Sequence, residues 1–249
     1  SLKTVSADFP PMLQLLGEIM RSPIFPESEV ELERKLTLQS IRSQKEQPFN
    51  VAFNQLRQQM YPQHPYGVSV LGTEASVSSL TRNQLQQYHQ TYFRPDNLII
   101  SLSGRIDQAQ GQDLIEGVFG DWENPDQPLP ISQLQSPILN PSQQEIAQDT
   151  QQSIVMLGYL GSKVNLEDYP VLKLISTYLG NGLSSRLFVE LREKRGLAYD
   201  VSAFFPTRLD TAPFVTYMGT APSNTEIAID GLSSEVARLT KETLSESEI

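Results

Sequence analysis

Residues 123–142, ENPDQPLPISQLQSPILNPS, carry five prolines and no apolar periodicity. Each proline fixes φ at about −65° and removes a backbone donor, so neither a helix interior nor a central strand can run through this stretch. It reads as an extended linker. A chain of 249 residues already exceeds what one hydrophobic core comfortably serves. The sequence is therefore expected to form two units, residues 1–122 and 143–249, separated by the linker 123–142. Both halves mix strand-like runs with helical patterns, which gives an α/β class with layered α+β character.

In the first half, Met12, Leu13, Leu16, Ile19 and Met20 recur at helical spacing until SPIFPES breaks the pattern. A charged helix is expected from Glu27 to about Glu46, with Pro48 marking its end or a kink, and a third helix from about Phe49 to Met60. Ser79 or Thr81 is placed to cap a helix ending near Tyr92. SLKTVSA and NLIISLSG read as strands, and DQAQGQDLIEGVFGDW as a helix with Leu114, Ile115, Val118 and Phe119 on one face.

In the second half, SIVMLGYLG reads as a buried strand, and Asp168 is expected to cap a helix bearing the stripe Val171, Leu174, Ile175, Tyr178 and Leu179. A helix from Ser184 or Ser185 to Lys194 should stop at Gly196. AYDVSAFF and PFVTYMGT alternate well enough to pair, and a last helix is expected from about Ser223 to Thr240. SESEI carries the Ser-x-x-Glu of a capping box at Ser245 and Glu248, the start of a helix without its body. Two strands in the first half are too few to cover its helices, so further strands are expected upstream of Ser1.

The formal net charge of −10 repels a phosphate backbone, and no basic stripe offsets it, which sets nucleic acid aside. No apolar run is long enough to span a bilayer. With no cysteine, a disulfide framework and thiolate metal ligands are excluded, a state compatible with cytoplasm and periplasm alike. There is no G-x-G-x-x-G or P-loop for a nucleotide. Ser184 and Ser185 have no histidine base near them in sequence and are better read as helix caps than as nucleophiles.

The chemistry concentrates in LREKRGLAYD, residues 191–200, which puts Arg192 on the last turn of a helix and Tyr199 at the opening of a strand. On spacing alone, Arg192 could pair with Glu190 or Glu193 while Tyr199 lies half-buried on a sheet. The longer run SSRLFVELREKRGLAYDV, however, closely resembles the signature of the second homologous domain in the pitrilysin/insulinase family of zinc peptidases. SPIFPESEVELER, HPYG and YHQTYFRPDNLIISLSGRID resemble the C-terminal part of that family's first domain, in the same order.

The resemblance implies two α/β domains closing around a peptide, the first of them incomplete here. It makes Arg192 and Tyr199 the catalytic candidates, reaching the backbone carbonyl of a peptide substrate near the scissile bond. A planar, permanently charged guanidinium grips a carbonyl oxygen, and a phenol donates to a developing oxyanion.

The family's metal motif, H-x-x-E-H, is absent from this chain; His64 and His89 are read as turn and helix-surface residues. The third ligand of active relatives is a glutamate directly before an isoleucine. In ERKLTLQSI that position is Ser40, and no acid occurs from Arg34 through Lys45. A neutral hydroxyl is a poor zinc ligand.

No cofactor is therefore expected on this chain, and zinc is expected on an active partner. The combination resembles the non-catalytic subunit of a two-chain peptidase of the mitochondrial processing type, a fragment working with a homologous zinc-bearing subunit on a peptide substrate. Two alternatives are a non-hydrolytic assembly or peptide-binding subunit, as in the respiratory bc1 complex, and a self-sufficient zinc endopeptidase with an unusual ligand set.

Overall fold

The computed structural model describes residues 1–130, 134, 137 and 140–243. The Ser245–Glu248 capping box and part of the proline-rich stretch lie outside the described residues. The chain divides into two compact units, Ser1–Leu38 with Glu74–Gln133, and Gln39–Thr73 with Leu134–Ile249.

The first unit is helical. It contains α1 (Phe9–Arg21), the first turns of α2 (Glu27–Lys45), α4 (Glu74–Ser79), α5 (Arg82–Tyr92) and α6 (Gln108–Phe119). α1 packs on α6, and Arg21 from α1 donates to the Val118 carbonyl at 2.8 Å and to Asp121 at 2.7 Å. Thr81 caps α5 through a reciprocal box with Gln84, one of the two caps expected there. Arg82 at the start of α5 donates to the carbonyls of Phe25 and Ile24, fixing the proline turn before α2.

Neither run read as a strand in this unit is one. Ser6–Asp8, which overlap the end of SLKTVSA, form a short 3-10 turn. Residues 98–103 of NLIISLSG belong to no strand. Extended backbone becomes sheet only where a second strand takes up its N–H and C=O groups, and among the described residues none lies alongside.

The second unit holds β1 (Ser153–Leu160), β2 (Asp200–Phe204) and β3 (Pro213–Thr220), antiparallel in the order β1–β3–β2. The register pairs Ser153 with Thr220 and Leu160 with Pro213 on one side of β3. On the other side it pairs Asp200 with Gly219 and Phe204 with Val215.

Period-2 alternation then gives the sheet two faces. Val155, Val201, Ala203, Phe214 and Met218 pack with Leu179 of α7 (Asp168–Gly180), Leu232 of α8 (Thr225–Arg238), and Leu187 and Leu191. The opposite face meets α3 (Pro48–Met60), whose Phe49 stands edge-on to Tyr217 at 4.9 Å and whose Phe53 stands edge-on to Phe204 at 5.5 Å.

Phe49, Phe53, Leu56 and Met60 are spaced as one helical face. That face is why Gln39–Thr73 pack with the second unit rather than with the helices that flank them in sequence. The packing units cut the chain differently from the expected domain limits of 1–122 and 143–249.

Three local expectations are corrected. Pro48 opens α3 at the first helical position instead of only ending α2, where its missing N–H has no intrahelical partner to lose. Asp168 is the first residue of α7, after an N-cap Glu167 that makes no side-chain cap bond. The Ser185 hydroxyl is buried without a hydrogen-bond partner among the described residues, so it does not cap the signature helix.

Candidate functional site

The signature helix is built from the inside out. Leu187 and Leu191, four residues apart, are fully buried against the sheet. Residues Phe188–Glu193 are π-helical, with the Lys194 N–H donating to the Val189 carbonyl at 3.0 Å, five residues back. The helix stops at Gly196, whose φ of 64° is left-handed and costs a glycine least. The Leu197 N–H then reaches back to the Leu191 carbonyl at 3.0 Å.

With Leu191 facing the core, Arg192 faces solvent. Its guanidinium lies over the Phe188 ring, 4.9 Å from the centroid. Such contacts hold an exposed arginine by about 0.5–1 kcal/mol, enough to bias its direction while leaving its donors available. Neither Glu190 nor Glu193 takes it. Glu190 accepts instead from Lys194 at 2.7 Å, a bond that holds the Glu190 carboxyl below the usual range.

Of the four cations from Arg186 to Arg195, three face carboxylates: Arg186 and Arg195 face Glu235, and Lys194 faces Glu190. Among the described residues, Arg192 has no ion pair.

Tyr199 sits one residue before β2, its N–H donating to the Gly219 carbonyl at 2.8 Å. Ala198 before it and Val201 two residues after it are buried, while Tyr199 is 60% exposed. Its hydroxyl has no hydrogen-bond partner among the described residues. Beside it, Asp200 accepts from the Tyr217 hydroxyl at 3.1 Å. Burial first, and then the Asp200 charge, push the Tyr217 phenol up to about 12, so Tyr217 stays a neutral donor at any physiological pH. The arrangement is an exposed guanidinium and an exposed phenol, each directly following a buried residue, Leu191 and Ala198. Such a pair can donate hydrogen bonds to oxygen atoms brought from outside.

The metal side of the resemblance finds no comparable arrangement. Ser40 lies on α2, exposed. His64 is buried rather than on a turn surface: its Nδ1 accepts from the Tyr66 N–H at 3.1 Å, and its Nε2 is 3.3 Å from Asp210. With Nδ1 accepting, Nε2 carries the proton and donates. The His89 Nε2 pairs with the Met20 carbonyl at 2.8 Å. Among the described residues, no three His, Cys, Asp or Glu side chains gather as a metal site. Because both imidazoles are engaged and the ligand position is a hydroxyl, the residues present do not fit zinc.

Sequence reasoning did not find the polar cluster around Asp210. That carboxylate accepts from Lys163 at 2.7 Å, from the Thr211 N–H at 2.7 Å, and from His64. These bonds, led by Lys163, hold its carboxyl below the usual range. The Tyr66 hydroxyl accepts from the Asp210 N–H at 3.2 Å, and the buried Tyr61 donates to the Thr211 carbonyl at 2.9 Å. The cluster ties HPYG to the loop between β2 and β3. HPYG was the only sequence cue, and Asp210, 146 residues away, had none.

Residues 79–249 match the family model described as the peptidase M16 inactive domain, and residues 1–74 match that of insulinase, peptidase family M16. The uncharacterized zinc protease YmxG of Bacillus subtilis is 27% identical over 237 residues, covering 95% of this chain and 57% of that protein. The crystal structure of the peptidase M16 inactive domain from Pseudomonas fluorescens superposes with a TM-score of 0.89 at 26% identity, over 98% of this chain and 59% of the other. The structure of a protease from Helicobacter pylori gives the same TM-score at 22% identity, covering 98% and 60% of the two chains, a likeness of fold. The chain thus spans little more than half the length of these relatives. With models of the family covering both halves of its sequence, the chain belongs to peptidase family M16, the insulinase family.

Proposed function

We propose that this chain is the non-metal subunit of a two-chain peptidase, supplying Arg192 and Tyr199 to bind the substrate backbone while a homologous zinc-bearing partner activates the attacking water. The observation that carries this reading is the contrast on the signature segment, where neighbouring cations face carboxylates while Arg192 and the Tyr199 hydroxyl are left open to solvent. A scaffold has no use for that pair. The poor fit of the described donors to zinc is consistent with a metal held on the other subunit.

The roles follow from the chemistry of the groups. Arg192 donates to a peptide carbonyl from a planar fork that stays charged at all working pH values. Tyr199 donates to the oxygen on which negative charge develops, and such donors act mostly in the transition state. Rooting them on a helix end and a strand start limits the motion that would blunt both effects.

The test is reconstitution. Full-length protein mixed with a zinc-bearing homologue is expected to cleave fluorescein-labelled β-casein, an unfolded polypeptide, and Arg192→Ala should lower kcat/KM about 100-fold or more, with a smaller loss for Tyr199→Phe. Unchanged rates in both variants would remove the proposal. Saturable casein binding without turnover would favour the non-hydrolytic subunit instead.

A further inference from the structure

The inward stripe of α8 runs Ala228, Gly231, Leu232 and Glu235, spaced as one helical face and all buried. Its last member is a carboxylate at a position where leucine would pack at lower cost. Glu235 is 1% exposed, and an ion pair this deep is seldom more stabilising than an apolar replacement.

The partners of Glu235 are arranged around the signature helix. Oε2 accepts from Arg186 Nε at 2.9 Å and from Arg238 Nη1 at 2.8 Å, and Oε1 faces Arg195 Nη2 at 3.9 Å. Arg186 precedes the π-helical segment Phe188–Glu193 and Arg195 follows it. In an uninterrupted α-helix, residues nine apart point about 180° away from each other. A π turn absorbs one residue and brings them about 100° closer, so that one carboxylate can face both. The two elements are in close contact here: a Cβ at Gly231 would stand 3.0 Å from Leu191 Cδ2 and 3.7 Å from Arg195 Nη1.

We propose that Glu235 is a positioning residue: by holding Arg186 and Arg195 from one buried carboxylate, it fixes the π register of residues 188–193 and through it the direction of Arg192. The inference rests on the proposed role of Arg192, and it adds the element that sets it. In a plain α register, side chains from within the π segment onward would rotate around the axis, carrying Arg192 off its present bearing.

Two readouts on the full-length protein test the proposal, amide exchange and the reconstituted cleavage of fluorescein-labelled β-casein. Glu235→Gln should speed exchange of the Lys194 and Leu197 amides about tenfold or more relative to those of β3, and should lower kcat/KM about tenfold. In an Arg192→Ala background the same change should cost nothing further, because a positioning residue acts only through the group it positions. Equal losses in both backgrounds, or unchanged exchange at Lys194 and Leu197, overturn the proposal.

Should Glu235→Gln fail to fold cooperatively, Arg195→Gln removes only the half-exposed partner. It must then speed Leu197 exchange and show the same non-additivity; otherwise the proposal falls. If Arg192→Ala itself leaves cleavage unchanged, the substrate-binding reading fails on its own, and the exchange data still decide whether Glu235 sets the helix register.

Discussion

NLIISLSG and PFVTYMGT have similar strand character, yet they end in opposite states. Val215 and Met218 of the second run are fully buried in the central strand of a sheet, whereas Ile99 of the first is 95% exposed in an unpaired segment. Both runs are rich in apolar and hydroxyl-bearing residues that suit a pleated surface. What separates them is partners: β3 is hydrogen-bonded on both edges and covered on both faces, and residues 98–103 pair with no strand among the described residues.

Three substitutions sharpen this contrast. Val215→Asp should be the most severe, since an unpaired charge would replace a side chain sealed between β3 and α3; a loss above about 4 kcal/mol is expected, read as failure of cooperative urea unfolding.

Asp210→Asn should cost about 1–3 kcal/mol at neutral pH by taking the charge from a carboxylate that Lys163, Thr211 and His64 serve together. Its folded pKa is depressed, chiefly by Lys163. The stabilisation is therefore complete above the unfolded value of about 3.9 and is lost as pH falls through the lower folded value. Unfolding free energies measured down that range should drop more steeply in the parent than in the variant.

Ile99→Asp should change stability by no more than about 0.5 kcal/mol, as at any exposed site without a partner. A large loss there would mean that the segment is covered, and the contrast with β3 would collapse.

The same logic separates what was legible in the candidate site from what was not. Arg192, Tyr199 and Gly196 could be found because they lie within one short signature, at a helix end and a strand start that local rules predict. Ser40, at the position that the family resemblance gives to a ligand, was equally readable as a residue type at one position. Glu235 and Asp210 were not. Each acts through partners far away in sequence, Arg186 at 49 residues and His64 at 146, and a single sequence holds no signal for such a pairing. The π turn was hidden for a related reason: its residues would also suit an ordinary α-helix.

By itself, then, the sequence determined the elements whose cause is local: the helices from Phe9, Glu27 and Thr225, the box at Thr81, and the stop at Gly196. Tertiary structure alone decided which alternating runs became sheet, that α3 would cover the sheet bearing Tyr217, and which cations would be neutralised around Arg192. Backbone conformation is chosen by short-range sterics and hydrogen bonds, which a window of residues contains. Strand pairing, burial and charge neutralisation depend on groups that only the folded chain brings together.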